Sequence, residues 1–137
     1  MDLTSFFSLE GRVALVTRGS RGIGRMIAEG FVSQGARADL SARQAEACAE
    51  TAAALGDNCI ALPHDVSTVE GCKLLAADLA TREGHLDILV NNAGAAWGEK
   101  FEDFPEAGWD KVMDLNVKSP FFLTQALHGM LCASGAS

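Results

Sequence analysis

At 137 residues the chain has room for one domain with a core of its own. Its 48% hydrophobic and 21% charged residues fit a globular protein, and no apolar run reaches the roughly 18 residues of a membrane span. A net charge of -7 argues against nonspecific binding to nucleic acid or to an anionic membrane, but it is compatible with a local basic pocket.

The opening stretch MDLTSFFSLEGR carries Asp2 and Glu10 and no basic segment, so no secretory signal is expected. The run RVALVT, from Arg12, is short and continuously apolar, as suits a strand buried on both faces of a parallel sheet. GIGRMIAEGFVSQG then predicts an amphipathic helix, with Ile23, Ile27 and Phe31 on its buried stripe and Gly35 as its stop. ARADLSA reads as a weaker second strand, in which Asp39 is a misfit among apolar neighbours. An Ala-rich helix is expected from 44 to about 55, and NCIAL is a third strand ended by Pro63. Val69, Cys72, Leu75 and Leu79 mark the next helical stripe, and LDILVN is a fourth strand. After the loop NAGAAWGEKFEDFP a long helix begins near Glu106 and runs past Leu127, ahead of a small polar tail, CASGAS, expected to fray.

Strict alternation of strand and helix with short connections implies an α/β fold, a Rossmann-like doubly wound parallel sheet with helices on both faces. Right-handed crossovers then give the strand order 3-2-1-4 within a single unit, residues 1–137. The cysteines, Cys48, Cys59, Cys72 and Cys132, form no C-x-x-C pair and have no histidine at ligand spacing. No metal site is expected, and the thiols read as reduced residues of a cytoplasmic protein. His64, His85 and His128 have no evident acidic partner in the sequence and read as surface or capping residues, and Trp97 and Trp109 as packing residues.

Between the first strand and its helix stands TRGSRGIG, with glycines at 19, 22 and 24. Glycines there let the backbone approach a pyrophosphate, and the helix N-terminus offers free N–H groups. The spacing resembles T-G-x-x-x-G-x-G, the cofactor loop of the short-chain dehydrogenase/reductase family. HDV at 64–66, NNAG at 91–94 and WDKVMDLNVKSPFFLTQA match further motifs of that family, in order, over nearly the whole chain. Within the family the sequence resembles the 3-oxoacyl-thioester reductases, including the rhamnolipid-pathway branch. The resemblance implies a nicotinamide dinucleotide held by Thr17, Gly19, Ser20, Arg21, Gly22, Ile23 and Gly24 of the turn, by Asp65 and Val66 at the adenine, and by Asn92, Ala93 and Gly94 at the ribose. Asp65 also reads as a turn or helix-capping residue. Asn116 stands at the position of the family's catalytic asparagine, whose backbone holds a water in the proton relay.

The choice of dinucleotide rests on the end of the second strand. The family's acidic, NAD-selecting position corresponds to Ala42, with Arg43 next to it and Arg21 in the turn. Two arginines without a carboxylate suit a 2′-phosphate, so NADP(H) is favoured over NAD(H). Asp39 falls mid-strand and is rejected as the ribose ligand. Arg18 departs from the family, which has glycine there, and is expected to weaken cofactor binding. Pro120, four residues after Asn116, cannot donate to the Asn116 carbonyl and predicts a kink.

The family's Ser and Tyr-x-x-x-Lys find no match, and the chain has no tyrosine. It resembles the N-terminal half of a member, an incomplete dinucleotide-binding domain expected to be inactive alone. The alternatives are a non-catalytic NADP(H)-binding module and one half of a split reductase. The expected partners are the dinucleotide, an acyl thioester substrate and a second copy paired through the fourth-strand edge or the fourth helix, with no nucleic acid and no membrane.

Overall fold

The apolar run after Arg12 forms β1, Val13–Thr17, buried along its whole length. The computed structural model describes residues 2–135. β1 is followed by β2 (Arg37–Ala42), β3 (Ala61–Pro63) and β4 (Ile88–Val90), all parallel, in the order β3-β2-β1-β4. This is the order that right-handed crossovers impose. Side chains alternate across the sheet. Val13 and Leu15 join Leu62, Leu75, Leu79, Leu86, Leu123 and Leu127 on one face, and Val16, Ala38, Leu40 and Cys48 pack on the other.

Among the described residues six α-helices accompany the strands: α1 (Leu3–Phe6), α2 (Gly22–Ser33), α3 (Ala45–Leu55), α4 (Val69–Arg82), α5 (Glu106–Met113) and α6 (Ser119–Ala133). α1 is a short turn outside the expected elements, capped by Asp2, whose Oδ1 accepts from Thr4 N–H at 3.0 Å. α2 and α3 cover one face of the sheet, and α4 and α6 the other.

Several boundaries and stripes differ from the sequence-based expectation. In α2 the fully buried residues are Gly24 and Ala28; Ile27 and Phe31 are half-buried beside them and Ile23 is exposed. The helix lies so close to the sheet that small residues face it and the large ones are turned to its flanks. β3 includes Pro63, which an outermost strand tolerates because its free edge needs no N–H donor. Its pairing nevertheless begins earlier, since Ala38 and Leu40 N–H donate to the carbonyls of Asn58 and Ile60, each at 2.8 Å. β4 is shorter than the apolar run that predicted it.

The long helix is interrupted as Pro120 requires, through a widened turn rather than a break. Asp114–Lys118 is π-helical, with Ser119 N–H bonded to the Asp114 carbonyl, and α6 restarts with Pro120 in its first turn. α6 holds through Ala133, so the expected fraying does not reach Cys132; residues 136 and 137 of that tail lie outside the described residues. No helix among the described residues is long and apolar enough to cross a membrane.

Asp39 enters β2 despite its charge, opposite Leu15 in the register, and it is fully buried. No well-formed hydrogen bond reaches either carboxyl oxygen among the described residues. Burial first, and then the neighbouring Glu83 carboxylate, push its pKa up to about 7, with Arg37 opposing them. Glu83 Oε1 itself lies 2.8 Å from Arg37 Nη2.

Candidate functional site

β1 delivers the chain to a turn whose backbone is fixed from several sides. The buried hydroxyl of Thr17 accepts from the N–H groups of Asn92 (3.0 Å) and Ala93 (2.9 Å), tying the end of β1 to the loop after β4. Asn92 completes the tie, its Nδ2 donating to the carbonyls of Thr17 (3.2 Å) and Arg18 (3.4 Å). Gly22 opens α2 with φ +57, a conformation that penalises a Cβ. At Gly24 an added Cβ would stand 2.4 Å from the Arg18 carbonyl and 2.6 Å from Asn92 Nδ2. The N-terminus of α2 is thus pressed onto the ends of β1 and β4.

Around this turn lies a cleft of about 980 Å³ at the carboxyl ends of the strands. Of the predicted residues, Ser20, Arg21, Arg43, Asp65, Val66, Ala93, Gly94 and Asn116 line it, and Arg18, the departure from the family, lines it too. Thr17, Gly19, Gly22, Ile23, Gly24 and Asn92 do not. Thr17, Gly24 and Asn92 build the wall from behind, Gly19 is buried with its N–H bonded to the Ser41 carbonyl at 3.1 Å, and Ile23 is exposed beside the turn. Asp39 is absent from the lining, as its mid-strand position requires.

Arg43 and Ala42 meet the cleft at the end of β2, next to Gln44, which stands at the N-cap of α3. Asp65 serves a turn, its Oδ1 accepting from Ser67 N–H at 3.0 Å, while Thr68 caps α4 by accepting from Gly71 N–H at 3.0 Å. Asn116 spends its amide on the backbone of Ala95: Oδ1 accepts from Ala95 N–H at 2.9 Å and Nδ2 donates to Ala95 O at 2.7 Å. The π-helical segment that carries Asn116 is thereby fastened to the loop after β4, and Pro120 leaves the Asn116 carbonyl without its ordinary helical donor.

Lys111, Asp114 and His64 also line the cleft and were not among the predicted site residues. Lys111 lies with its ammonium 5.6 Å from the centre of the Trp97 ring, and Trp97 packs over Gly108, where an added Cβ would come within 2.8 Å of the ring. Helical spacing links Lys111 and Asp114, but only the tertiary fold shows that this face meets a cleft. Trp109, read as a packing residue, is 59% exposed.

Two histidines do have acidic partners, contrary to the expectation. His64 Nε2 donates to Asp78 Oδ2 at 3.0 Å, and His85 Nε2 lies 3.0 Å from Asp87 Oδ2 as an ion-pair partner. The first contact, with Arg82 adding to it, holds the Asp78 carboxyl below its ordinary range. Burial raises Asp87, but the Val13 N–H, Arg12 and His85 outweigh it and leave that carboxyl lowered as well. His128 lies 3.6 Å from the Cys132 sulfur. No cluster suited to a metal ion occurs among the described residues.

The sequence model of the short chain dehydrogenase family matches residues 12–137. A rhamnolipids biosynthesis 3-oxoacyl-[acyl-carrier-protein] reductase of Pseudomonas aeruginosa is 52% identical over 135 residues, covering 96% of this chain and 52% of that protein. The 2-dehydro-3-deoxy-D-gluconate 5-dehydrogenase of Escherichia coli is 37% identical, over 97% of this chain and 53% of its own length. Among solved structures, the Pseudomonas aeruginosa RhlG/NADP active-site complex superposes with a TM-score of 0.90 at 53% identity, covering 94% of this chain and 51% of that one. L-sorbose reductase from Gluconobacter frateurii, complexed with NADPH and L-sorbose, gives a TM-score of 0.90 at 34% identity, with 94% and 51% covered. The chain spans about half the length of the curated relatives it matches.

Proposed function

The chain belongs to the short chain dehydrogenase family, and from that premise we propose that its cleft is the NADP(H)-binding part of a carbonyl reductase acting on 3-oxoacyl thioesters. One observation carries the reading: Arg21 and Arg43 line the same cleft at the carboxyl ends of the strands, with Ala42 where a carboxylate would select the unphosphorylated ribose. A guanidinium binds a phosphate dianion through paired, charge-assisted hydrogen bonds. The backbone fits the group as well, since Gly24 leaves no room for a side chain between the turn and the strand ends.

When bound, NADPH supplies a hydride. The chain's own residues would bind and orient the dinucleotide: Ser20 and the N-terminus of α2 would hold the pyrophosphate, Asp65 and Val66 the adenine, and Ala93 and Gly94 the ribose, and all five of these residues line the cleft. Asn116 is the candidate catalytic-side residue; its side chain holds Ala95 while its carbonyl, deprived of a donor by Pro120, can accept from a water. No tyrosine occurs in the 137 residues, so this polypeptide carries no phenol to protonate a nascent alkoxide. That absence favours a second reading, in which these residues bind the dinucleotide without turnover or act together with a chain that supplies the proton donor. Trp109 and Met113 on α5, Val117 on the π-helical turn and Phe121 on α6 are exposed apolar residues four apart, and they support self-association through that face.

Titration of the chain with NADPH and with NADH, followed by energy transfer from Trp97 and Trp109, tests the reading. Saturable binding with NADPH at least about tenfold tighter than NADH is expected. Equal affinities would remove the phosphate-reading role of the arginines. Addition of a 3-oxoacyl thioester to the NADPH complex then separates binding from turnover; the expected outcome is no oxidation of NADPH by this polypeptide alone.

A further inference from the structure

Doubly wound sheets take ligands in the crevice where the strand order reverses, which here lies between β1 and β4. Besides the ties made by Thr17 and Asn92 behind the wall, one cleft-lining side chain crosses that crevice among the described residues. Arg18, the first residue after β1, donates from Nη1 to the carbonyl of Gly94 in the loop after β4, at 2.7 Å. Both residues line the cleft.

Both ends of this bridge are held. On the near side the Arg18 carbonyl accepts from Asn92 Nδ2 and packs against Gly24. On the far side Asn116 fixes Ala95, the residue after Gly94, by two hydrogen bonds. Arg18 adopts φ +51 and is the one non-glycine residue with positive φ among the described residues. That conformation disfavours a residue bearing a Cβ. The chain therefore places a large side chain where its backbone favours none, and the guanidinium lies across the passage.

We propose that Arg18 is a latch across the dinucleotide crevice: its guanidinium spans the gap between the glycine turn and Gly94, and a dinucleotide enters by displacing it from the Gly94 carbonyl. The proposal rests on the reading of this cleft as a dinucleotide site. Two effects of the residue compete. Its charge attracts an anionic ligand, but Arg21 and Arg43 already supply cations to an open cleft, where solvent and salt screen a further exposed one. The bridge must be broken and its space vacated for every binding event. Obstruction outweighs attraction, so removal of the side chain tightens binding.

Two substitutions separate the latch from its backbone. Arg18→Gly removes the bridge and the left-handed strain together, whereas Arg18→Ala removes the bridge and keeps a Cβ. In calorimetric titrations of NADPH into the full 137-residue chain, with folding checked by circular dichroism, both variants are expected to bind about tenfold more tightly than the parent. Binding by the variants alone, with none by the parent, supports the latch equally. If the parent binds and Arg18→Ala binds no more tightly, the latch is overturned and the cofactor reading stands; a gain confined to Arg18→Gly has the same meaning. If neither the parent nor the variants bind NADPH, the cofactor reading falls and the latch falls with it.

Discussion

Asp39 shows how much one residue decides. Between about pH 4 and pH 7, a carboxyl raised from 3.8 to about 7 keeps its proton in the folded chain and releases it on unfolding. Its penalty is therefore absent below about pH 4, grows as pH rises through the folded value, and is complete above it, on the order of 4 kcal/mol. Asp39→Asn is expected to stabilise the chain by about 2–4 kcal/mol at pH 8 and to change little at pH 4. Urea midpoints measured at both pH values check this; equal shifts at the two would contradict it. Asp87 works in the opposite sense, since its carboxyl is lowered and its contribution is lost as pH falls through the acid range. The thiols divide just as sharply: burial, and then the Asp39 charge, push Cys59 up to about 12, Cys48 and Cys72 are also buried and raised, and Cys132 is exposed. Native alkylation followed by mass spectrometry should mark Cys132 and spare the other three. The sequence exposes Asp39 as a misfit by its apolar neighbours, but not its partner Glu83, which the fold brings over from the end of α4.

At the scale of elements, what could be read in advance was what local chemistry dictates. The glycine turn, the continuous strand β1 and the Pro120 irregularity each follow from residues near in sequence, and each is present. Of the α2 stripe, Ile27 and Phe31 pack against the core from the flanks and Ile23 is exposed, because the close approach at Gly24 and Ala28 reserves the centre of that face for small residues. The pairing of His64 with Asp78 joins the end of β3 to the middle of α4 and is set by the tertiary fold, whereas His85 and Asp87 are two residues apart, just ahead of β4. Asn116 is the joint between elements, because two hydrogen bonds to Ala95 fasten the π-helical turn to the loop after β4. Asn116→Ala should cost about 1 kcal/mol of stability, the net worth of exposed hydrogen bonds. Amide exchange at Ala95 should accelerate in the same variant, and unchanged protection there would contradict the joint.

For the molecule as a whole, alternation and handedness sufficed to order the sheet, and the order places the crevice between β1 and β4. The lining of that crevice was only partly legible. Arg21, Arg43 and Gly94 stand in motifs, whereas Lys111, Asp114 and His64 reach it through tertiary packing alone. A chain of net charge -7 collects four of its basic residues, Arg18, Arg21, Arg43 and Lys111, on this one cleft. The charge balance of the cleft, rather than that of the whole surface, sets what it can bind. The exposed stripe through Met113 and Val117 lies on α5 and the π-helical turn, and a lysine at either position should lower the concentration dependence of sedimentation if copies meet there. Whether the crevice holds a phosphorylated dinucleotide is decided by amide chemical-shift mapping of the labelled chain during NADPH addition. Saturable shifts confined to residues 18–23, 42–44, 65–66 and 93–96 are the predicted result. Saturable shifts elsewhere, or none in a folded chain at millimolar NADPH, would contradict it.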